Sequence, residues 1–218
     1  MVFIDDLGLE FFTMALAMVL PAYMITAAYF YHRKLPMEKV SEIVRGSGFP
    51  LLALGAFMFI LGVWSELTWP FPAKPYPSAP SVNFSPYNIL FGDPYMILSI
   101  LIVGVSLSLV MNKKLQFIGV LGFFSGILAI FYGYQAYIDS FTKSPLEAFF
   151  LYIAFGVVGI LSLPATLIFD SVEENKKTKT TPIETIFLFL FWLGLIAAAL
   201  ASGYMVLNAI PGHLLKTP

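Results

Sequence analysis

Four carboxylates mark where this chain can do chemistry. Glu66, Asp93, Asp139 and Glu147 each stand at the edge of a long apolar run, beside aromatic or amide side chains at Trp64, Tyr134, Tyr137 and Asn88. At such an edge a carboxylate can collect a cation or small solute at the mouth of a passage, or exchange a proton with a lipid or quinone as general acid or base. Glu66 stands out because it falls just inside the Trp69 boundary of its run, where a charged side chain turns toward other helices instead of lipid. Asp139 and Glu147 flank one short connection and can share a rim. Two arrangements satisfy this pattern: an acidic, aromatic-rimmed mouth, or the ordinary belt of Trp and Tyr with acids at headgroup level.

Other chemistry is excluded by what the chain lacks. It has no cysteine, which removes disulfides, thiolate metal sites and Cys nucleophiles. His32 and His213 fall on opposite sides of the topology derived below, so they do not share a metal or haem. No H-E-x-x-H or G-x-S-x-G motif is present, and the centre of every apolar run lacks Asp, Glu, Lys, Arg and His. That argues against a proton-coupled pump, and no cofactor or metal is expected. The net charge of -1 gives no basic surplus, so nucleic acid is not an expected partner.

The elements that must position these residues follow from composition. Of 218 residues, 59% are hydrophobic and 11% charged, whereas a soluble domain carries about 25% charged residues. Lipid is the main solvent. A membrane-crossing helix needs about 20 mostly apolar residues, and six stretches qualify: 9–31, 49–69, 94–111, 115–138, 146–169 and 183–207. They predict an all-α, polytopic transmembrane bundle forming a single six-span domain. Lys and Arg number nine in the first, third and fifth connections, against Lys74, Lys143 and Lys216 on the opposite side. The positive-inside rule then places both termini outside the cytoplasm, together with seven acids: Asp5, Asp6, Glu10, Glu66, Asp93, Asp139 and Glu147. The acidic start MVFIDDLGLE is unlike a secretory signal, so the first helix is expected to be retained. Asn83-Phe84-Ser85 is a glycosylation sequon on the external side. Five Asn and two Gln are few thermolabile side chains, a hint of a thermophile.

Small residues are expected to hold the bundle, since lipid supplies no hydrophobic drive between helices. Gly119, Gly122, Gly126 and Gly133 line one span, and Gly194 with Ala198 and Ala199 with Gly203 repeat the spacing in the last. They serve either packing within the chain or a homodimer. Pro21 and Pro164 should kink their helices. Residues 36–45 predict a short amphipathic helix lying on the inner headgroups. The Pro-rich segment from Pro70 ends in apolar residues, which predicts a loop folded back over the bundle as a lid or a plug.

The sequence Asn88-Ile89-Leu90-Phe91-Gly92-Asp93-Pro94, entering the third span after this Pro-rich loop, resembles a recurrent feature of a family of prokaryotic membrane proteins, domain of unknown function 981. Length, span number and loop position are similar as well. The resemblance implies an archaeal or bacterial plasma membrane and supplies no catalytic residues. Taken together, the residues predict a non-catalytic membrane protein: an accessory or scaffold subunit, in a homo-oligomer or membrane complex, or a binder of lipid or a lipophilic molecule. The alternatives are a passive channel or facilitator entered through the acidic mouth, and an enzyme of the outer leaflet.

Overall fold

A chain in lipid must satisfy every backbone N–H and C=O from within, so long apolar runs become helices. The computed structural model describes residues 6–32, 37–68, 88–142, 144–174 and 180–214, and among these there is no strand. The helices are α1 (Asp6–His32), α2 (Met37–Gly46), α3 (Gly48–Thr68), α4 (Asp93–Val110), α5 (Gln116–Ile138), α6 (Pro145–Glu174) and α7 (Pro182–Leu214), and a short π turn, Asn88–Gly92, leads directly into α4. All but α2 are long and apolar enough to cross a membrane. They match the six expected spans and differ mainly at their ends. The third begins six residues earlier than expected, in the π turn, because Ile89, Leu90 and Phe91 continue the apolar run. The fifth continues through Asp170 to Glu174.

The six long helices close into a ring in the order α5, α6, α7, α1, α3, α4. Packing is dense between α5 and α6, α1 and α7, and α3 and α4, and sparse between α4 and α5 and between α1 and α3. Glycine makes the densest pairing. A Cβ on Gly126 would lie 2.6 Å from the Gly156 carbonyl oxygen and the Ile160 nitrogen, and one on Gly159 would lie 2.5 Å from Gly126 Cα. Gly119 and Gly122 face Thr166 and Ser162, and Gly133 faces Tyr152. The glycine stripe of α5 is thus turned to α6 within the chain. On α7, Gly194 rests on Val158, whereas nothing lies within 4 Å of a Cβ on Gly203. α1 and α6 continue unbroken through Pro21 and Pro164.

One end of the ring, here the Asp170 end, is fastened by polar contacts. Both carboxylate oxygens of Asp170 accept backbone N–H bonds, from Leu115 at 3.0 Å and Gln116 at 2.9 Å. Two of the orphan donors at the head of α5 are thereby satisfied across to α6. The amphipathic α2 docks on the bundle instead of lying free on headgroups, because Val40 and Val44 are buried in protein. Arg45 donates twice to the Glu173 carboxylate and once to the Leu109 carbonyl, and Ser41 donates to Glu173. Lys114 lies 2.9 Å from Glu174, whose carboxylate raises the Lys114 ammonium above its ordinary value through a hydrogen bond and its charge. α4 and α5 both end with a left-handed residue, Asn112 (φ 55°) and Ser140 (φ 51°), in the C-terminal motif that glycine usually closes.

Asp5, Trp69, the segment carrying Lys74 and Asn83, Lys143, the basic residues 176–179 and Lys216 lie outside the described residues, as do the side chains of Asp6, His32 and His213.

Candidate functional site

At the opposite end five elements meet: α1, α3, the π turn with α4, α5 and α6. The π turn puts Asn88, Leu90, Phe91 and Gly92 in the interior. Such turns interrupt regular helices and recur at functional sites. Gly92 leaves room here for an acid: a Cβ would stand 2.6 Å from Glu66 Oε1, so any larger residue would push that side chain away. There the half-buried Glu66 reaches the turn, its Oε1 lying against Gly92, the residue before Asp93. Glu66 Oε1 is itself buried and receives no hydrogen bond from the described residues. From α5, the Tyr132 hydroxyl donates to Asp93 Oδ2 at 2.8 Å. From α6, the buried Tyr152 hydroxyl donates to the Leu90 carbonyl.

Rings tie these elements together. Tyr132 stacks on Tyr152 with centroids 6.3 Å apart, Tyr152 stacks on Phe91 at 6.4 Å, and Phe91 meets Phe11 of α1 edge to face at 5.4 Å. Such pairings add about 0.5–1.5 kcal/mol each beyond buried area, enough to hold the rotation of α5 and α6 against the π turn. Beside this column a hydrogen bond of 2.7 Å joins the hydroxyls of Thr13 and Tyr95, both buried. Glu10, one turn before Thr13, is 1% exposed. Among the described residues no three His, Asp or Glu side chains form a metal-ligand set.

The eight residues that the sequence singled out therefore divide. Glu66, Asp93 and Asn88 come together around the π turn, and Trp64 packs half-buried against the core one turn before the end of α3. Asp139 instead caps the exposed end of α5 and accepts from Gln135. Glu147 accepts from Tyr204 of α7 at 3.3 Å. Tyr134 and Tyr137 are about half exposed, and Tyr137 leans on Phe149. Sequence reasoning counted Glu10 and Tyr132 among this end's acids and aromatics without choosing them, and it passed over Thr13, Tyr95 and Tyr152. A signal for Glu10 existed: it lies within the 9–31 span, the same criterion that selected Glu66.

Below this cluster the ring surrounds a partly open cavity of about 230 Å³. Its wall runs from Pro94, Tyr132 and Tyr152 to Leu115, Thr166 and Phe169, and its middle is aliphatic: Met14, Met18, Ile97, Leu101, Ala129 and Val158. Pro21 lines it too. The hydroxyls of Ser125, Ser162 and Thr166 each donate to carbonyls of their own helices, leaving the wall with no free donor from these groups. Because α4 and α5 touch sparsely, the wall is thinnest between them.

Six apolar membrane-length helices around an apolar cavity, with polar groups gathered at one end, define an integral, multi-pass helical membrane protein. The chain belongs to the family described as protein of unknown function (DUF981), which matches residues 1–216. No curated protein and no solved structure matches it.

Proposed function

We propose that this protein is a non-catalytic binder of a lipophilic molecule, held in the cavity between α1, α4, α5, α6 and α7. The cavity is the observation that carries this reading. An unfilled apolar space costs about 24 cal/mol per Å³, so leaving about 230 Å³ empty would cost about 5 kcal/mol, comparable with the whole stability of many proteins. A guest from the surrounding lipid removes that cost. The lining also favours a lipophile over an ion. Past Tyr132 the wall is aliphatic apart from the hydroxyls of Ser125, Ser162 and Thr166, whose protons are committed to backbone carbonyls, too few oxygens to replace the water an entering ion would shed. The distribution of Lys and Arg supports an orientation with the Asp93 end outside the cytoplasm.

Native mass spectrometry of protein extracted gently from its own membrane tests the reading. The expected result is a lipophile retained by each protomer and lost when Ala129→Phe fills the cavity. Wild-type protein and variant both arriving bare would overturn it, and a stoichiometric partner chain on a bare protomer would replace it with the accessory-subunit reading.

A further inference from the structure

The polar end of the cavity restricts what its guest can be. Tyr132 and Tyr152 line that end, and both hydroxyl protons are already committed, to Asp93 and to the Leu90 carbonyl. What these phenols still offer the cavity is oxygen lone pairs. Behind them lie the carboxyl of Asp93, which accepts from Tyr132, and that of Glu66, whose Oε1 is buried and receives no hydrogen bond from the described residues. The described Lys and Arg side chains, Lys39, Arg45, Lys113 and Lys114, all belong to the Asp170 end. This end of the cavity thus presents acceptors and negative charge.

A guest's head should therefore donate hydrogen bonds and not be anionic, because a phosphate or carboxylate would be buried against carboxyl groups with no counter-charge from the described residues. The shape restricts the tail. Leu115 and Tyr132, at the two ends of the wall on α5, are roughly 26 Å apart along the helix at 1.5 Å per residue. A cavity of about 150 Å³ holds a single benzene of six carbons, and by that ratio about 230 Å³ takes roughly nine heavy atoms, one short chain occupying part of that length. Two acyl tails do not fit. Resting on the lipophile reading above, we infer that the cavity takes a single-chain amphiphile whose head is a hydrogen-bond donor, a hydroxyl or an ammonium, seated at Tyr132 and Asp93 with its tail running toward Thr166.

The test is equilibrium binding of radiolabelled octanol, octylamine and octanoate, probes of about nine heavy atoms that match the cavity volume, to the full-length protein in lipid nanodiscs, with empty nanodiscs subtracted. Wild type is expected to bind the alcohol or the amine at least about tenfold more tightly than octanoate. Asp93→Asn, which replaces the carboxyl by an amide, is expected to narrow that preference, and Ala129→Phe to abolish binding of every probe. Equal binding of alcohol, amine and carboxylate by wild type, all lost in Ala129→Phe, would overturn the headgroup assignment while keeping the cavity as a lipophile site. Binding that Ala129→Phe leaves untouched, or no binding above empty nanodiscs, would overturn both. The wild-type comparison decides the headgroup question even if a variant fails to fold.

Discussion

Adding one methyl group to the α5–α6 contact gives the sharpest test of how this bundle is held. In Gly126→Ala the new Cβ would meet the Gly156 oxygen and the Ile160 nitrogen at 2.6 Å, and Gly159 C at 2.9 Å. These are backbone atoms, which cannot swing aside. Ordinary contact begins near 3.4 Å, so the helices must separate locally by most of an ångström. A radial gap of 0.5–1 Å forfeits about a quarter to a half of each dispersion contact, and overpacking of this kind costs about 1–3 kcal/mol. The better helix propensity of alanine returns at most about 1 kcal/mol. Gly203→Ala makes the same chemical change on α7 with nothing within 4 Å, and should be neutral or slightly stabilising. Reversible unfolding in mixed micelles, following helicity against the fraction of denaturing detergent, measures both. A Gly126→Ala variant as stable as Gly203→Ala would refute the argument that close backbone contact holds α5 to α6.

Four further outcomes are expected. Asp170→Ala removes the cap on Leu115 and Gln116 and should cost about 0.5–2 kcal/mol in the same unfolding measurement. Glu173→Gln weakens the grip of Arg45 and Ser41 on α6, so amide hydrogen exchange in α2 should accelerate roughly five- to thirtyfold, the factor for about 1–2 kcal/mol, while α3 stays protected. Ser140→Gly relieves a left-handed non-glycine residue and should stabilise by up to about 1–2 kcal/mol, visible as a raised unfolding midpoint. Lys114 is held above its ordinary value of 10.5 by Glu174; a raised lysine contributes stability at lower pH and loses it as pH rises through the folded value. NMR titration of the Lys114 side chain should therefore show deprotonation above 10.5, and a downward move in Glu174→Gln.

Helix number and approximate length were legible because apolar run length is all that crossing a membrane requires. Rotation was not, because helices that are apolar all round carry no stripe to say which face turns inward. Tyr95 and Tyr152 therefore looked no different from Tyr134 and Tyr137, although the first two are buried and the others lie on the surface. The π turn was half legible: Ile89, Leu90 and Phe91 marked a segment unsuited to water, yet only the fold shows that the missing Cβ of Gly92 admits Glu66. At the other end, a span drawn to residue 169 stopped one residue short of the Asp170 cap. The apolar face of α2 was legible, but sequence spacing did not reveal that protein, instead of headgroups, receives it.

The ring closes between its first and last long helices. α1 pairs with α7, and the Trp192 indole of α7 donates to Thr26 Oγ1 of α1 at 2.9 Å across 166 positions of chain. The α5–α6 hairpin, joined by a short connection, can assemble as soon as it leaves the ribosome, because its contacts are close in sequence. α1 meets α2 and, sparsely, α3 early on, but its dense pairing must wait in the bilayer until α7 has been made. Until then the chamber between the helices lacks the wall supplied by Leu188, Phe191 and Leu195 of α7, and a guest can be enclosed without passing through a finished wall.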